Sequence, residues 1–119
     1  MKKILKILLG IVACLMFSTQ TVQAKENIPT LFVHGWGSSY RAEEHMVKSA
    51  FKAKVTKTVV RIDVDLYGQA HLVGNLPKKA KDPLVEINFE NNKNVNAMME
   101  AQYLKAAVEL LQTKYKFKK

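Results

Sequence analysis

The stretch PTLFVHGWGSS, residues 29–39, carries the most information about the fold of this chain. Residues 28–33 form a short apolar run rich in strand formers, and a strand without a polar face is typical of a parallel sheet covered on both sides. The following letters, HGWGSS, favour a turn, because glycine adopts backbone torsions that other residues resist. Main-chain N–H groups exposed at such a corner, beside the start of a helix, form a cradle for an anion. The stretch therefore predicts a strand, an anion-binding turn and a helix in that order.

The helix that follows the turn is predicted over residues 41–53. Ser38 or Ser39 can cap its N-terminus, and the acids Glu43 and Glu44 in its first turn suit the helix dipole. An apolar stripe runs along this helix at helical spacing, formed by Ala42, Met46, Val47, Ala50 and Phe51.

Further strands and a long helix complete the predicted order of elements. Residues 57–66 alternate between apolar and polar positions, so one face of this strand should be drier than the other. A turn at residues 67–69 leads into residues 70–73, which indicates a hairpin. After a basic surface loop over 74–83, residues 84–89 alternate again. Residues 97–114 have the periodicity of a helix, with an apolar face formed by Leu104, Ala107, Val108, Leu111 and Tyr115.

The first 24 residues have the composition of an export signal. Three lysines precede an apolar run over residues 7–17, which is shorter than the ~20 residues of a membrane-spanning helix. Cleavage before Lys25 leaves 95 residues and, with the three lysines removed, lowers the net charge from +9 to +6. Cys14 is the only cysteine, and a lipoprotein anchor at this residue is the minority alternative. We expect a secreted or cell-surface protein in which residues 25–119 form one small domain with no membrane span.

The strand and turn carry a family resemblance. PTLFVHGWGSS resembles the third strand and oxyanion-hole turn of the α/β-hydrolase superfamily, and the chain from Ile28 onward is similar to the N-terminal part of exported bacterial cell-surface α/β hydrolases. The resemblance implies an α/β fold: a partial hydrolase domain with a mostly parallel sheet, flanking helices and an inserted hairpin, without its C-terminal half. The family's next element is a strand that leads into a G-x-S-x-G nucleophile elbow, followed by an acid and a histidine. That motif does not occur in the 119 residues. We therefore expect a fragment, truncated before the nucleophile elbow and inactive alone.

The resemblance also implies roles for the residues of the turn. Trp36, which follows His-Gly, donates its backbone N–H to the oxyanion, while His34, Gly35 and Gly37 support the turn. No catalytic residue is assigned, because the family pattern is absent around the remaining candidates, which are Ser38, Ser39, His45 and His71. In the intact family the reaction is hydrolysis of a carboxylic ester, or a related acyl bond, of a small molecule or lipid, through a serine and without a cofactor.

Other interpretations remain open at this point. HGWG is compatible with a plain tight turn whose tryptophan packs against the sheet. The three histidines with Asp63 and Asp65 match no recurring spacing of metal ligands, so no metal is expected, and no nucleic-acid partner is expected either. A second functional hypothesis is a small basic secreted module that associates through its charge with anionic polymers of the cell envelope. The DNA downstream of Lys119 separates the hypotheses, because a continuation that encodes G-x-S-x-G supports the hydrolase fragment.

Overall fold

The computed structural model describes residues 27–117, so the predicted export signal at residues 1–24 and Cys14 lie outside the described residues. The elements, in chain order, are β1 (Thr30–Val33), a 3₁₀ turn (Tyr40–Glu43), α1 (Glu44–Lys52), β2 (Val59–Val64), β3 (Ala70–Val73), β4 (Leu84–Phe89) and α2 (Ala97–Lys114). None of the helices within residues 27–117 has the length and apolar character needed to cross a membrane.

The four strands form one mixed sheet in the order β1-β4-β2-β3. β4 lies parallel to β1 on one side and to β2 on the other, while β3 runs antiparallel to β2 as a hairpin. Parallel neighbours cannot be joined by a tight turn, which is why α1 and the long 74–83 loop lie between them in the chain. The predicted mostly parallel sheet with flanking helices and an inserted hairpin is confirmed.

The core lies between one face of the sheet and α2. Val60, Ile62 and Val64 of β2 are buried, as the alternation predicted, and they join Val85 and Ile87 of β4. α2 contributes Tyr103, Ala107, Leu111 and the C-cap residue Tyr115 to the same cluster. The long helix predicted from its periodicity is therefore confirmed at both ends. Of its predicted face, Ala107, Leu111 and Tyr115 are buried, whereas Leu104 and Val108 are half-buried and the buried Tyr103 was not predicted.

β4 is more buried than its alternating sequence suggests. Five of its six residues are buried. β4 is one of the two inner strands of the sheet and has a helix over parts of both faces, so even Glu86 is only 8% exposed. Alternate residues of β4 face the two sides of the sheet. Val85 and Ile87 lie on the side of α2, and Glu86 lies on the side of α1.

Two other elements are less buried than their sequence patterns suggest. β1 was expected to be covered on both sides, yet Val33 is 40% exposed because β1 has one strand neighbour and lies at the edge of the sheet. Residues 41–53 were predicted to form one helix with an apolar stripe. The segment instead starts as the 3₁₀ turn, and α1 buries Val47 while Met46 and Phe51 stay half exposed. A helix of 9 residues lying across the sheet places few side chains against it.

Candidate functional site: the turn after β1

The HGWG turn begins at the C-terminal end of β1 and lies against the loop that connects β4 to α2. The N–H of Gly37 donates to the main-chain oxygen of Asn92 at 2.7 Å, and the N–H of Ser38 donates to the oxygen of Gly35 at 3.2 Å. Gly37 has φ +70°, a left-handed conformation that a residue with a Cβ adopts only with strain. The second glycine of the turn is therefore required by the backbone itself.

His34 connects the start of the turn to the end of β4. Its ring is buried, and Nε2 accepts a hydrogen bond from the N–H of Phe89 at 2.9 Å. Since Nε2 must offer its lone pair to that N–H, the proton lies on Nδ1, which donates to the oxygen of Gly35 at 2.9 Å. The rings of His34 and Phe89 also meet edge to face, with 5.4 Å between centroids. Both nitrogens of His34 are occupied inside the fold, which leaves neither available to a reacting group.

Asparagines after β4 fix the other side of the turn, and the sequence analysis missed them. The Nδ2 of Asn92 donates to the oxygen of Ser38 at 2.8 Å, in addition to the bond that its main chain accepts from Gly37. The Oδ1 of Asn88 accepts from the N–H of Tyr40 at 3.2 Å, where the 3₁₀ turn begins. Asparagine-rich stretches after a strand signal a turn, but they do not reveal which distant segment they bind.

Trp36 is exposed to solvent, like the glycines on either side of it. Its side chain is 66% exposed, so the alternative in which the tryptophan packs against the sheet is wrong. Among the residues that the structure describes, the N–H groups of Gly35 and Trp36 donate no hydrogen bond, whereas those of Gly37 and Ser38 do. Two successive main-chain donors are therefore free for an external acceptor.

A cavity of about 430 Å³ opens beside these two donors. Its apolar lining comes from Val33 and Trp36 on one side and from Phe89 and Leu104 on the other, and Glu100 is the one charged residue in its wall. The cavity is therefore lined both by apolar side chains and by the residues that carry the free main-chain donors, which is the usual composition of a site for a small molecule.

The remaining candidate groups lie elsewhere. Ser39 caps the 3₁₀ turn, its Oγ accepting from the N–H of Arg41 at 3.4 Å. His45 is exposed on α1. His71 lies on β3, at the opposite edge of the sheet from β1, and its Nε2 donates to Asp65 at 2.9 Å. Within residues 27–117 no group of three His, Cys, Asp or Glu residues is placed to hold a metal ion.

Comparison with known protein families assigns the chain. Residues 18–119 match the model of a family described as alpha/beta hydrolase of unknown function, DUF915. The chain belongs to this family. The DUF915 chain has its HGWG turn at the end of an edge strand, within the hydrogen-bonded frame described above.

Two solved structures resemble the DUF915 chain. The product of gene lin2722 of Listeria innocua matches with a TM-score of 0.67 and 25% identity over 74% of this chain and 35% of that one. A protein named as a cell surface hydrolase of Lactobacillus plantarum WCFS1 matches with a TM-score of 0.63 and 24% identity over 79% of this chain and 39% of that one, which shows a shared fold. This chain therefore spans less than two fifths of either structure. A comparison with curated proteins found no match.

Proposed function

We propose that this chain is the N-terminal portion of a secreted or cell-surface serine hydrolase, and that its HGWG turn holds the oxyanion formed when a carboxylic ester is attacked. The observation that carries the proposal is the pair of free main-chain donors at Gly35 and Trp36, beside a cavity of about 430 Å³. The next N–H, that of Gly37, is bonded to the main-chain oxygen of Asn92 and fixes the turn beside these donors. Family membership and the name of the Lactobacillus neighbour support the hydrolase part of the proposal.

The electrostatic argument rests on rigidity. Ester attack converts a neutral carbonyl oxygen into an oxyanion, and N–H donors that are already in place stabilise this charge without reorganising. Removing one such donor costs about 10²–10³-fold in rate in well-studied enzymes. Here the hydrogen bonds of His34 and Asn92 on either side of Trp36 supply that rigidity. Trp36 is the proposed donor, and His34, Gly35 and Gly37 hold its conformation.

The substrate proposed is an ester of a small molecule or a lipid. The apolar surface contributed by Val33, Phe89 and Leu104 suits an acyl chain, and the turn residues Gly35 and Trp36 line the same cavity. The nucleophile, its acid and its histidine are not assigned to any of the 119 residues, so we propose that the chain alone is inactive.

Two assays test this proposal. The purified chain should hydrolyse p-nitrophenyl butyrate no faster than a Gly37→Ala variant or buffer. Saturable turnover by the chain alone would contradict the inactive-fragment proposal. Titration with methylphosphonate, a tetrahedral anion, should shift the backbone amide resonances of Gly35 and Trp36 in a ¹⁵N–¹H spectrum, with smaller shifts at Ser38, whose N–H already has a partner.

The same titration separates the second hypothesis. A basic module that binds envelope polymers would bind the anion through the exposed lysines of the 74–83 loop, which are Lys78, Lys79 and Lys81. Shifts confined to that loop would favour the binding module, and shifts confined to the turn would favour the oxyanion site. For the export part of the proposal, N-terminal sequencing of the protein recovered from culture supernatant or cell wall should begin at Lys25.

A further inference from the structure

One edge of the sheet carries most of the positive charge of residues 27–117. β1, β2 and β4 are parallel, so the segments that lead into them lie at the same edge, opposite the edge of the HGWG turn. The C-terminus of α2 lies there too, since the hydroxyl of Tyr115 donates to the main-chain oxygen of Ala80. The hydroxyl of Thr56 joins the segments before β2 and β4 by donating to the main-chain oxygen of Lys81 at 3.0 Å. We call this surface the basic edge, and its lysines are Lys52, Lys54, Lys57, Lys78, Lys79, Lys81, Lys114 and Lys116.

The charges of the basic edge have one sign. All eight lysines are exposed, and none of them forms an ion pair with a carboxylate of residues 27–117. Asp82 is the one acid in these segments, whereas the rest of residues 27–117 carries five lysines and arginines against eight acids. Lys48 and Lys105, which lie outside the edge, are each paired with a glutamate four positions away. The described chain is therefore strongly positive at this edge and net negative elsewhere.

The helices account for only a small part of this charge. Lys52 and Lys114 lie in the last turns of α1 and α2, where a cation complements the helix dipole. The other six lysines of the basic edge lie outside the helices and have no such role. Clustered charges of one sign destabilise a compact chain by self-repulsion, so an external anionic partner would stabilise this edge.

Two apolar side chains are exposed among these lysines. Phe51 is 51% exposed and Val55 is 54% exposed, and both lie between lysines in the segment that leads from α1 to β2. The N–H of Val55 donates to the main-chain oxygen of Ala50 at 3.1 Å, which holds this segment against the end of α1. A polyanion that binds by charge alone would leave both apolar side chains in water. The interface of an anionic bilayer accepts lysines and apolar side chains together, and this favours a lipid surface as the partner.

We propose that the basic edge binds the surface of an anionic lipid bilayer, with its lysines near the lipid phosphates and with Phe51 and Val55 entering the interface. Each lysine near such a surface strengthens binding by about fivefold. The net negative remainder of the chain then faces away from the bilayer, and the HGWG turn stays open to the aqueous side. The proposal does not depend on the hydrolase function, which concerns the opposite edge and other residues.

Flotation with lipid vesicles tests the proposal on the chain that begins at Lys25. This chain contains every described element and omits the apolar run of residues 7–17, which would bind lipid by itself. Vesicles of phosphatidylglycerol and phosphatidylcholine in equal parts should bind it at about 0.15 M salt, and added salt should weaken binding by screening the charges. Vesicles of phosphatidylcholine alone should not bind it. Equal binding to the two kinds of vesicle, or no binding to the anionic vesicles, would overturn the proposal.

Variants of equal net charge separate the basic edge from the overall charge of the chain. The first variant removes one lysine from each of three segments of the edge: Lys57→Gln, Lys81→Gln and Lys116→Gln. Its control removes three exposed cations from elsewhere: Arg41→Gln, Lys93→Gln and Lys105→Gln. Affinity for anionic vesicles should fall about a hundredfold in the first variant, at about fivefold per lysine, and stay largely unchanged in the control. Circular dichroism verifies that both variants keep the fold, and equal losses of affinity would overturn the proposal.

The apolar contact distinguishes a bilayer from a soluble polyanion. Val55→Gln should weaken binding to anionic vesicles about fivefold, because about half of this side chain is still available for burial, and should leave binding to linear polyphosphate unchanged. Val95→Gln makes the same change in the loop after β4, at the opposite edge, and should affect neither. Tighter binding to polyphosphate than to anionic vesicles, or an unchanged vesicle affinity in Val55→Gln, would assign the edge to a polyanion and overturn the proposal.

Trp36 reports the orientation of the bound chain. It is the only tryptophan, and it lies in the HGWG turn at the edge opposite the lysines. Binding through the basic edge leaves Trp36 in water, so its emission maximum and its quenching by acrylamide should not change when anionic vesicles are added. A blue shift with reduced quenching would place the HGWG turn against the bilayer and would overturn the proposal.

Discussion

The imidazole of His34 accepts a hydrogen bond from the main-chain N–H of Phe89, with 2.9 Å between the nitrogens. This contact links residues that are 55 positions apart and joins the end of β1 to the end of β4. Because the same ring donates from Nδ1 to Gly35, it sets the direction in which the chain enters the turn. His34 therefore has a structural role in the turn, because both of its ring nitrogens are hydrogen-bonded to the main chain.

Replacing His34 tests how much this frame contributes to stability. His34→Ala leaves the buried N–H of Phe89 without a partner, so the free energy of unfolding should fall by about 1–3 kcal/mol. Urea denaturation followed by circular dichroism measures the change. His45→Ala, on the exposed side of α1, is the control and should change stability by less than about 0.5 kcal/mol. Equal losses in the two variants would refute the assignment.

The two glycines of the turn should differ in their tolerance of alanine. Gly37 has φ +70° and no atom within 4 Å of an added Cβ, so the cost of Gly37→Ala is conformational and should be about 1–2 kcal/mol. Gly35 also has free space around an added Cβ but does not have a positive φ, so Gly35→Ala should be close to neutral. Thermal melts of the two variants give the comparison, and a more damaging Gly35→Ala would contradict this interpretation.

Asn92 should hold the turn against the loop after β4. Asn92→Ala removes the bond from Nδ2 to Ser38, so the amide hydrogen of Gly37 should exchange faster by about fivefold, the equivalent of a hydrogen bond worth about 1 kcal/mol. Hydrogen exchange measured by NMR reads this directly. Asn91→Ala is the matched control, because the Nδ2 of Asn91 faces Tyr103 of α2. No change at Gly37 in either variant would show that the loop does not position the turn.

Asp65 should give the β2–β3 hairpin a dependence on pH. Its Oδ1 accepts from the N–H groups of Tyr67 and Gln69, each at 2.9 Å, and the bond from His71, the largest cause, holds the pKa of Asp65 below its ordinary value. A carboxyl with a lowered folded-state pKa stabilises the fold above its ordinary pKa, and this contribution disappears as the pH falls through the folded-state pKa.

Asp65→Asn should therefore lower the melting temperature at pH 7 and flatten the acid limb of the stability curve. Melts from pH 7 down to pH 3 compare the variant with the wild-type chain. Asp63→Asn serves as a control for loss of charge on the same strand, since Asp63 bonds to Arg61 and does not enter the hairpin turn. An acid limb of equal slope in wild type and Asp65→Asn would contradict the prediction.

The core under α2 should account for most of the stability of the chain. Leu111 is 1% exposed, and Leu111→Ala should cost about 2–5 kcal/mol through lost burial and the cavity left behind. Met98→Ala, on the exposed first turn of the same helix, should stay within about 0.5 kcal/mol. With β1 at an open edge, we expect a marginally stable chain, so Leu111→Ala should be largely unfolded. A sharp melt of that variant at the wild-type temperature would be incompatible with this expectation.

The sequence by itself determined the local structure. The periodicity of residues 97–114, the alternation of 59–64 and the glycines of the turn each follow from contacts or torsions within a few residues. For that reason α2, the hairpin and the HGWG corner lie where the pattern predicted them. The resemblance to the α/β-hydrolase superfamily predicted the mostly parallel sheet and indicated that the HGWG turn is the candidate site.

Tertiary structure alone decided which distant residues meet. β4 is inserted between β1 and β2, which pairs Val33 with Ile87 and brings Asn92 to the turn, and no local pattern encodes such a pairing across more than fifty residues. The same insertion buries Glu86, a charged residue in the middle of β4. Backbone torsions are set mainly by each residue and its close sequence neighbours, so the sequence pattern predicts them. Burial and strand pairing depend on residues far away in the chain, so only the folded structure shows them.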